Sequence, residues 1–359
     1  MDSMVNFTPG PSQLYFTVAD HLKKGFKDGI PSLSHRSKQF ESIFARTTNG
    51  LRELLDIPSD YSIVFTGSAT EIWERIIQNL VEEKSHHFVN GAFSKRFFEI
   101  AQQLNKKSTK TEVPAGSSFA DSISIPEGTE LIALTHNETS TGVSLSLPFI
   151  HSFKENNQEC LVAVDAVSSL PYPSFDFTKI DSVFFSIQKG FGLPAGLGVW
   201  IFNRRCLDKA NQLLAKGISI GSFHTLPLLH ANAQKNQTPE TPNVLAIYLL
   251  GKVVSDFLVR GATTMRQETQ YKAALLYKAL EDHTAIKPFV ADKHNRSKTV
   301  IVAETGDRTE ELTSFLQTRG FFPGEGYGSS KKNQLRFANF PAHSKEQFES
   351  LVDALSTFK

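Results

Sequence analysis

The chain has 359 residues, 40% of them hydrophobic and 21% charged, which is an ordinary globular composition in a chain too long for one simple core. Its 38 Lys and Arg residues nearly balance 37 Asp and Glu residues, and the net charge of +1 offers no basic surface for nucleic acid. The chain has two cysteines and no CxxC or HExxH spacing, which predicts neither a disulfide framework nor a metal site. It has no signal-like apolar start and no apolar run of membrane-spanning length, so we predict a cytoplasmic protein.

The first two thirds of the chain predict an α/β domain. Residues 1–14 contain "NFTPGPSQL", which proline and glycine break into an arm. From about Val18 to Lys252, helical stretches such as "KQFESIFARTTNGLRELL" and "FSKRFFEIAQQL" separate short apolar runs. These runs are "SIVFTG", "HHFVNG", "LIALTH", "CLVAVDA", "SVFFSI" and "LGVWIF". Apolar runs without polar alternation are typical of a mostly parallel sheet covered by helices, so we predict a large domain over residues 15–261.

The last hundred residues predict a second, smaller domain. A long helix is expected from Thr241, with Pro242 in its first turn, to Gly261. Helix, strand, helix, strand and helix patterns then follow, and the final helix begins with a capping box formed by Ser344 and Gln347. We therefore predict an α+β domain over residues 262–359.

A single lysine, Lys189, stands between two runs that predict buried strands, in "SVFFSIQKGFGLPAGLGVWIF". It could be a turn lysine that reaches water, or an amine in a dry pocket whose lowered pKa frees the neutral nucleophile. Asp165 ends the strand "CLVAVD" 24 residues earlier and could by itself be a turn cap. One crossover of that length would make the two strands neighbours and put both side chains at carboxyl ends, where such sheets bind ligands. A lysine that forms an imine and a carboxylate that keeps a ring nitrogen protonated suit pyridoxal phosphate.

A second candidate site is the strand, turn and helix of "SIVFTGSATEIWERIIQNL". Helix N-termini bind phosphate through free N–H groups, but Ser68 and Glu71 form a capping box that needs no ligand, so both interpretations stay open. The segment has no lysine at the P-loop position. "GFGLPAG" nearly matches a dinucleotide fingerprint, but its spacing is one residue too long and a strand follows where a helix is needed, which disfavours NAD.

Eight segments occur in the order expected of class V pyridoxal-phosphate aminotransferases, and the chain most resembles the phosphoserine aminotransferases over nearly its whole length. They are "NFTPGPSQL", "SHRSKQFESI", "GSATE", "NGAFSKRF", "HNETSTGV", "AVDAVSS", "SIQKGFG" and "QTPETPNVLAIYLL". The resemblance implies the type I fold of pyridoxal-phosphate-dependent transferases, pyridoxal 5'-phosphate as cofactor, and a homodimer with active sites at the subunit interface.

The resemblance also implies roles for individual residues. Lys189 matches the Schiff-base lysine and Asp165 the partner of the pyridinium nitrogen, which makes them the catalytic pair. The further cofactor contacts that it implies are Ala69 and Thr70 in the phosphate turn, Phe93 on the ring face, Thr139 at the ring hydroxyl, Gln188, and Gln237 and Thr238 from the neighbouring subunit. The implied substrate-anion residues are His35, Arg36 and Arg336.

The chain departs from the family pattern at three of these places. Phe93 stands where tryptophan is common, so the stacking area is smaller. Thr70 stands where some members have arginine, and Ser329 where some have a histidine seven residues before the substrate arginine. Lys331 or Lys332 could supply the missing charge.

The resemblance implies transfer of an amino group from phosphoserine to 2-oxoglutarate, giving 3-phosphohydroxypyruvate and glutamate in serine biosynthesis. An alanine–glyoxylate or serine–pyruvate aminotransferase is the alternative enzyme, and its substrates lack a distal anion. A cofactor-free regulatory relative is the alternative from another class, which the presence of Lys189, Asp165 and Thr238 disfavours. Arg36 and Arg336 could also be solvated or paired arginines without a substrate role.

Overall fold

The computed structural model describes residues 4–120 and 123–359, so the first three residues of the predicted arm lie outside the described part. The strands are β1 Val5–Phe7, β2 Ser62–Thr66, β3 Lys84–Val89, β4 Lys107–Glu112, β5 Leu131–Thr135, β6 Asn137–Glu138, β7 Val143–Ser144, β8 Leu161–Asp165, β9 Ser182–Ser186, β10 Gly198–Phe202, β11 Lys287–Pro288, β12 Val300–Glu304, β13 Phe321–Glu325 and β14 Gln334–Ala338. The helices are α1 Val18–Lys27, α2 Lys38–Leu55, α3 Ala69–Leu80, α4 Ala92–Gln103, α5 Leu147–Asn156, α6 Arg204–Ala215, α7 Leu226–Ala233, α8 Val244–Arg260, α9 Ala262–Asp282, α10 Thr309–Gln317 and α11 Lys345–Thr357.

The larger sheet has seven strands in the order β2, β10, β9, β8, β5, β3, β4. All of them run parallel except β10, which is antiparallel to both of its neighbours. Successive residues of β9 belong to the hydrophobic cores on opposite faces of the sheet. Val183 and Phe185 pack with α2 and α8, whereas Phe184 packs with α3, α4, α6 and α7. Helices on both faces explain why these strands carry unbroken apolar runs, and the predicted α/β fold class is confirmed.

The smaller sheet has five strands in the order β1, β13, β14, β12, β11 and packs against α9, α10 and α11. Its first strand comes from the N-terminal arm, because β1 pairs parallel to β13 from Val5 opposite Phe321. Residues 5–7 are therefore a strand, which the arm prediction missed. The domain ranges 15–261 and 262–359 stay predictions.

The long helix α8 starts later than predicted. Its N-cap is Asn243, whose side chain accepts a hydrogen bond from the Ala246 N–H, so Pro242 precedes the helix rather than lying in its first turn. The capping box at Ser344 and Gln347 is present as predicted. Within the described ranges, the helices are all too short or too polar to cross a lipid bilayer.

Two neighbouring strands position the candidate site. Strands β8 and β9 are parallel, with Asp165 opposite Phe184, so their carboxyl ends meet at one edge of the sheet. Lys189 follows the end of β9, and the next residue, Gly190, lets the backbone approach closely: a Cβ there would lie 2.0 Å from the Leu170 carbonyl oxygen. The tight contact between these two connections fixes Lys189 beside Asp165.

Candidate active site

The Lys189 side chain is buried, with 7% of its surface exposed. Its Nζ donates to Thr139 Oγ1 at 3.1 Å and lies 5.2 Å from the centre of the Phe93 ring. Burial lowers the pKa of Lys189 to about 8, against the opposing effect of the Asp165 carboxylate and with a smaller contribution from the Arg336 charge. A turn lysine that reaches water is therefore excluded, and the amine is poised to lose its proton near neutral pH.

The Asp165 carboxylate is buried and held from two sides. Oδ1 accepts from the Val167 N–H at 2.9 Å, and Oδ2 accepts from Trp73 Nε1 at 2.9 Å. Burial raises the pKa of Asp165 to about 6, although these two hydrogen bonds and the Lys189 charge favour the carboxylate. Sequence reasoning missed Trp73, because nothing in a helical pattern shows which polar atom an indole will reach.

The first turn of α3 offers free backbone N–H groups. Ser68 caps it by accepting from the Glu71 N–H at 3.1 Å, and the Ala69 N–H donates to Ser186 Oγ at 3.1 Å. In a capping box the Glu71 carboxylate would accept from the N–H of Ser68, the N-cap residue. In the structure it accepts instead from the N–H of Gly67, one residue earlier in the chain. Thr70 is exposed, and among the described residues its N–H has no partner. This turn can receive an anion.

A charged cluster next to this turn consists of the buried His224 and the half-buried Glu71 and Glu240. His224 Nδ1 contacts Glu71, and its Nε2 lies 2.8 Å from Glu240 Oε2. Burial opposes the charged imidazole, but the Glu240 and Glu71 carboxylates outweigh it and raise the pKa of His224 to about 9. At neutral pH this His224 cluster therefore ties the first turn of α3 to the segment that follows Thr238.

Phe93 and Thr139 are held by a buried acid that sequence reasoning missed. Glu138 accepts from the Phe93 N–H at 3.3 Å, the Ser94 N–H at 2.9 Å and the Ser140 N–H at 3.1 Å. It thus caps α4, whose second residue is the half-buried Phe93. An acid among hydroxyl residues in "NETSTG" is equally typical of an exposed loop, so the pattern gave no signal of burial.

The N-terminal arm covers Lys189. A Cβ on Gly10, where φ is +146°, would lie 2.8 Å from Lys189 Cε, so only glycine allows this approach. The Ser12 N–H donates to the Gln188 carbonyl oxygen at 3.0 Å. Gln188 Oε1 is buried and has no partner in residues 4–120 and 123–359, which leaves it available to a cofactor.

Arg336 lies at the same site, half-buried on β14. Its Nε donates to the Glu325 carbonyl oxygen at 2.7 Å and its Nη1 to the Thr139 carbonyl oxygen at 3.3 Å. It does not pair with the Glu325 carboxylate, which contradicts one alternative for this residue. No described residue accepts from Nη2, so one edge of the guanidinium can still receive a ligand.

The structure places His35, Arg36, Gln237 and Thr238 in a second group. Arg36 Nη1 donates to Gln237 Oε1 and to the Thr238 carbonyl oxygen, both at 2.9 Å. Burial and the adjacent Arg36 charge lower the pKa of His35. In the described part of one chain, no hydrogen bond connects this group to Lys189, Asp165 or Arg336.

Ser329, Lys331 and Lys332 lie in an exposed turn between β13 and β14. Lys331 Nζ is 3.8 Å from Glu325 Oε2, so its charge is partly balanced. Whether either lysine replaces the missing histidine stays a prediction.

The residues around Lys189 fit pyridoxal phosphate. A dry amine lies beside a buried carboxylate and an aromatic face, and helix α3 is joined to them by the bond from Trp73 to Asp165. Among the described residues, Gln188 Oε1 lacks a partner. Each of these features matches one part of the cofactor: aldehyde, ring nitrogen, ring face and phosphate.

Comparisons with known proteins identify the family of the chain. The model of the class-V aminotransferase family matches residues 4–326. The phosphoserine aminotransferase of Nocardioides sp. is 28% identical over 353 residues, 97% of this chain and 94% of that protein. A solved phosphoserine aminotransferase from Cytophaga hutchinsonii is 50% identical, with a TM-score of 0.97 and 99% of both chains covered. A Thermus thermophilus aspartate aminotransferase, 24% identical with a TM-score of 0.85 over 98% of both chains, shares the fold.

The family match covers most of the chain, and it confirms the family and the enzyme class that the sequence motifs predict. The C. hutchinsonii structure extends the likeness to nearly every residue. The chain belongs to the class-V aminotransferase family and is a pyridoxal-phosphate-dependent aminotransferase.

Proposed function

We propose that this enzyme transfers the amino group of phosphoserine to 2-oxoglutarate in serine biosynthesis, as a homodimer. The observation that carries the chemistry is the dry Lys189 amine beside the buried Asp165 carboxylate. The substrate is supported by the 50% identity over 99% of both chains with the C. hutchinsonii phosphoserine aminotransferase.

Pyridoxal phosphate, when bound, supplies an aldehyde that condenses with amines and a ring that accepts an electron pair. The Asp165 carboxylate, fixed by Trp73 and Val167, would hold a proton on the ring nitrogen. Lys189 Nζ, with a pKa of about 8, can take the Cα proton of an amino acid and return it near neutral pH. Phe93 would cover one face of the ring, and the first turn of α3 would bind the phosphate.

Arg336 would bind the α-carboxylate of the substrate. Its Nε and Nη1 are anchored to carbonyl oxygens, which fixes the guanidinium plane and leaves Nη2 free. A fixed plane favours directional binding of a carboxylate, which lysine cannot copy.

His35 and Arg36 would bind the distal anion, a phosphate or a γ-carboxylate, from the partner subunit. In one chain Arg36 is hydrogen-bonded to Gln237 and Thr238, away from the contacts of Lys189. This arrangement supports an active site completed by a second copy, with Gln237 and Thr238 of the partner subunit at the cofactor phosphate.

A half-reaction screen tests this function. The cofactor-loaded enzyme is mixed separately with phosphoserine, glutamate, serine and alanine, and the loss of the visible cofactor absorbance is followed. We expect phosphoserine and glutamate to bleach it fastest. Faster bleaching by alanine or serine would instead support the alanine–glyoxylate or serine–pyruvate alternative. A protein that gains no visible absorbance after added pyridoxal phosphate would be the cofactor-free relative.

A further inference from the structure

A cavity of about 310 Å³ lies at the junction of the two sheets, away from the contacts of Lys189. Its walls come from residues 136–147 and 172–174 on the side of the larger sheet, and from α9 and residues 294–298 on the other. The lining contains no Asp or Glu, and its basic side chains are His136, Arg266, His294, Arg296 and Lys298. Junctions of this kind are common ligand sites.

Lys298 has no acidic partner among the described residues, and its Nζ lies 6.0 Å from the centre of the Tyr277 ring. Its side chain is half-buried, and burial together with the Arg296 charge lowers the pKa of Lys298. Among the described residues no acid pairs with it, whereas the adjacent Arg296 donates to Glu281 Oε1 at 2.5 Å. A half-buried ammonium beside a second cation is unfavourable unless an anion is bound.

Arg266, on α9, also lacks an acidic partner in the described part of the chain. Its Nε donates to the Tyr172 carbonyl oxygen at 3.0 Å, but its Nη2 is buried without a partner and no described carboxylate pairs with it. His136, which is 4% exposed, leaves its Nδ1 without a partner too. These are two unsatisfied buried polar atoms at one cavity, and a ligand that is absent from the structure would explain both.

We propose that this cavity binds a small anion with phosphate or carboxylate oxygens, held by Lys298 and Arg266. Ser144, Ser146 and Ser174 line the same space and can donate hydroxyl hydrogens to such oxygens. The site is separate from the cofactor site, because none of Lys189, Asp165 and Phe93 lines this cavity. An anion there bridges both sides of the junction, and the inference does not depend on which amino acid the enzyme uses.

The test is calorimetric titration of the cofactor-loaded enzyme with inorganic phosphate and, separately, with malonate. Arg336→Gln serves as the background, because it weakens anion binding at the proposed substrate site. We expect Lys298→Gln and Arg266→Gln in that background to weaken the remaining binding about tenfold each, the effect of losing one charged hydrogen bond. Lys293→Gln is the matched control: Lys293 lies on the neighbouring turn outside the cavity and pairs with Glu281.

Binding of one probe but not the other supports the site and identifies its anion as a phosphate or a dicarboxylate. Lys298→Arg keeps the charge and should restore most of the affinity. The proposal is overturned if the Arg336→Gln protein and the Arg336→Gln, Lys298→Gln double variant bind phosphate with the same affinity and also bind malonate with the same affinity. An affinity for Lys298→Arg as low as that for Lys298→Gln also overturns it, because the loss would then be structural.

Discussion

The hydrogen bond from Trp73 to Asp165 should set the pH range of the enzyme. Trp73 Nε1 donates to Asp165 Oδ2 at 2.9 Å, inside a site where burial already raises the pKa of Asp165 to about 6. A hydrogen bond to a charged group is worth about 1.5–3 kcal/mol, and each pH unit corresponds to about 1.4 kcal/mol. Trp73→Phe removes this donor and should raise the pKa of Asp165 by about one to two.

The sign of the effect follows from the proposed role of Asp165 as a carboxylate. With a pKa of about 6 it is mostly charged at pH 7. In the Trp73→Phe variant, about half to a tenth of the Asp165 side chains would stay charged at pH 7. At that pH kcat/KM should therefore fall about two- to tenfold, and it should recover by pH 9. The assay is the pH profile of kcat/KM for the best amino donor.

Trp200→Phe is the matched control for lost packing. Trp200 is equally buried, but its Nε1 donates to the neutral Ser182 Oγ at 2.8 Å. We expect this variant to lose stability without moving the acid limb of the profile. An acid limb at the same pH in Trp73→Phe as in the unmodified enzyme would refute the reasoning.

Three further predictions concern Lys189, Gly10 and the His224 cluster. The rate at which the cofactor-free protein captures pyridoxal phosphate should rise about fiftyfold from pH 6 to pH 8 and only about twofold more by pH 10, since the pKa of Lys189 is about 8. Stopped-flow absorbance measures this rate, and a rise of about tenfold or more between pH 8 and pH 10 contradicts the prediction. Gly10→Ala should slow this capture, because its Cβ would overlap the lysine, whereas Gly29→Ala, with open space around it, should not. The pKa of His224 is raised from 6.5 to about 9, so the protonated His224 stabilises the folded state by on the order of 3 kcal/mol. This contribution is fully present below pH 6.5 and is lost as the pH rises to about 9. The free energy of unfolding in urea should show this pH dependence for the unmodified protein and should not show it for His224→Gln.

The strands that carry the site could be predicted because they are buried on both faces. Strands β8 and β9 have no polar alternation, and a chain can satisfy such runs only inside a covered sheet. Their adjacency then follows from the length of the crossover, which brings Asp165 and Lys189 to one edge. This part of the site depends on local pattern and one topological rule.

The partners of those residues could not be predicted in the same way. Trp73 and Glu138 act through polar atoms placed by tertiary packing, and their sequence neighbourhoods are compatible with a solvated helix and a loop. The short strand β4, "KSTKTE", contains no buried residue, so its place at the sheet edge leaves no hydrophobic signal. Contacts between distant segments decide all three.

The dryness of Lys189 is itself such a long-range property. Its cover is the arm at Gly10, and the arm is held in place because β1 pairs with β13 of the other sheet, where a Cβ on Gly324 would lie 2.6 Å from Pro9 Cδ. Arg336 is on β14, the next strand of that sheet. The burial that lowers the pKa of Lys189 therefore depends on the sheet that also carries the proposed substrate arginine. The residues next to Lys189 in the sequence therefore cannot reveal that its pKa depends on the smaller sheet. A substitution that unpairs β1 from β13 should raise the pKa of Lys189 without altering the residues around it.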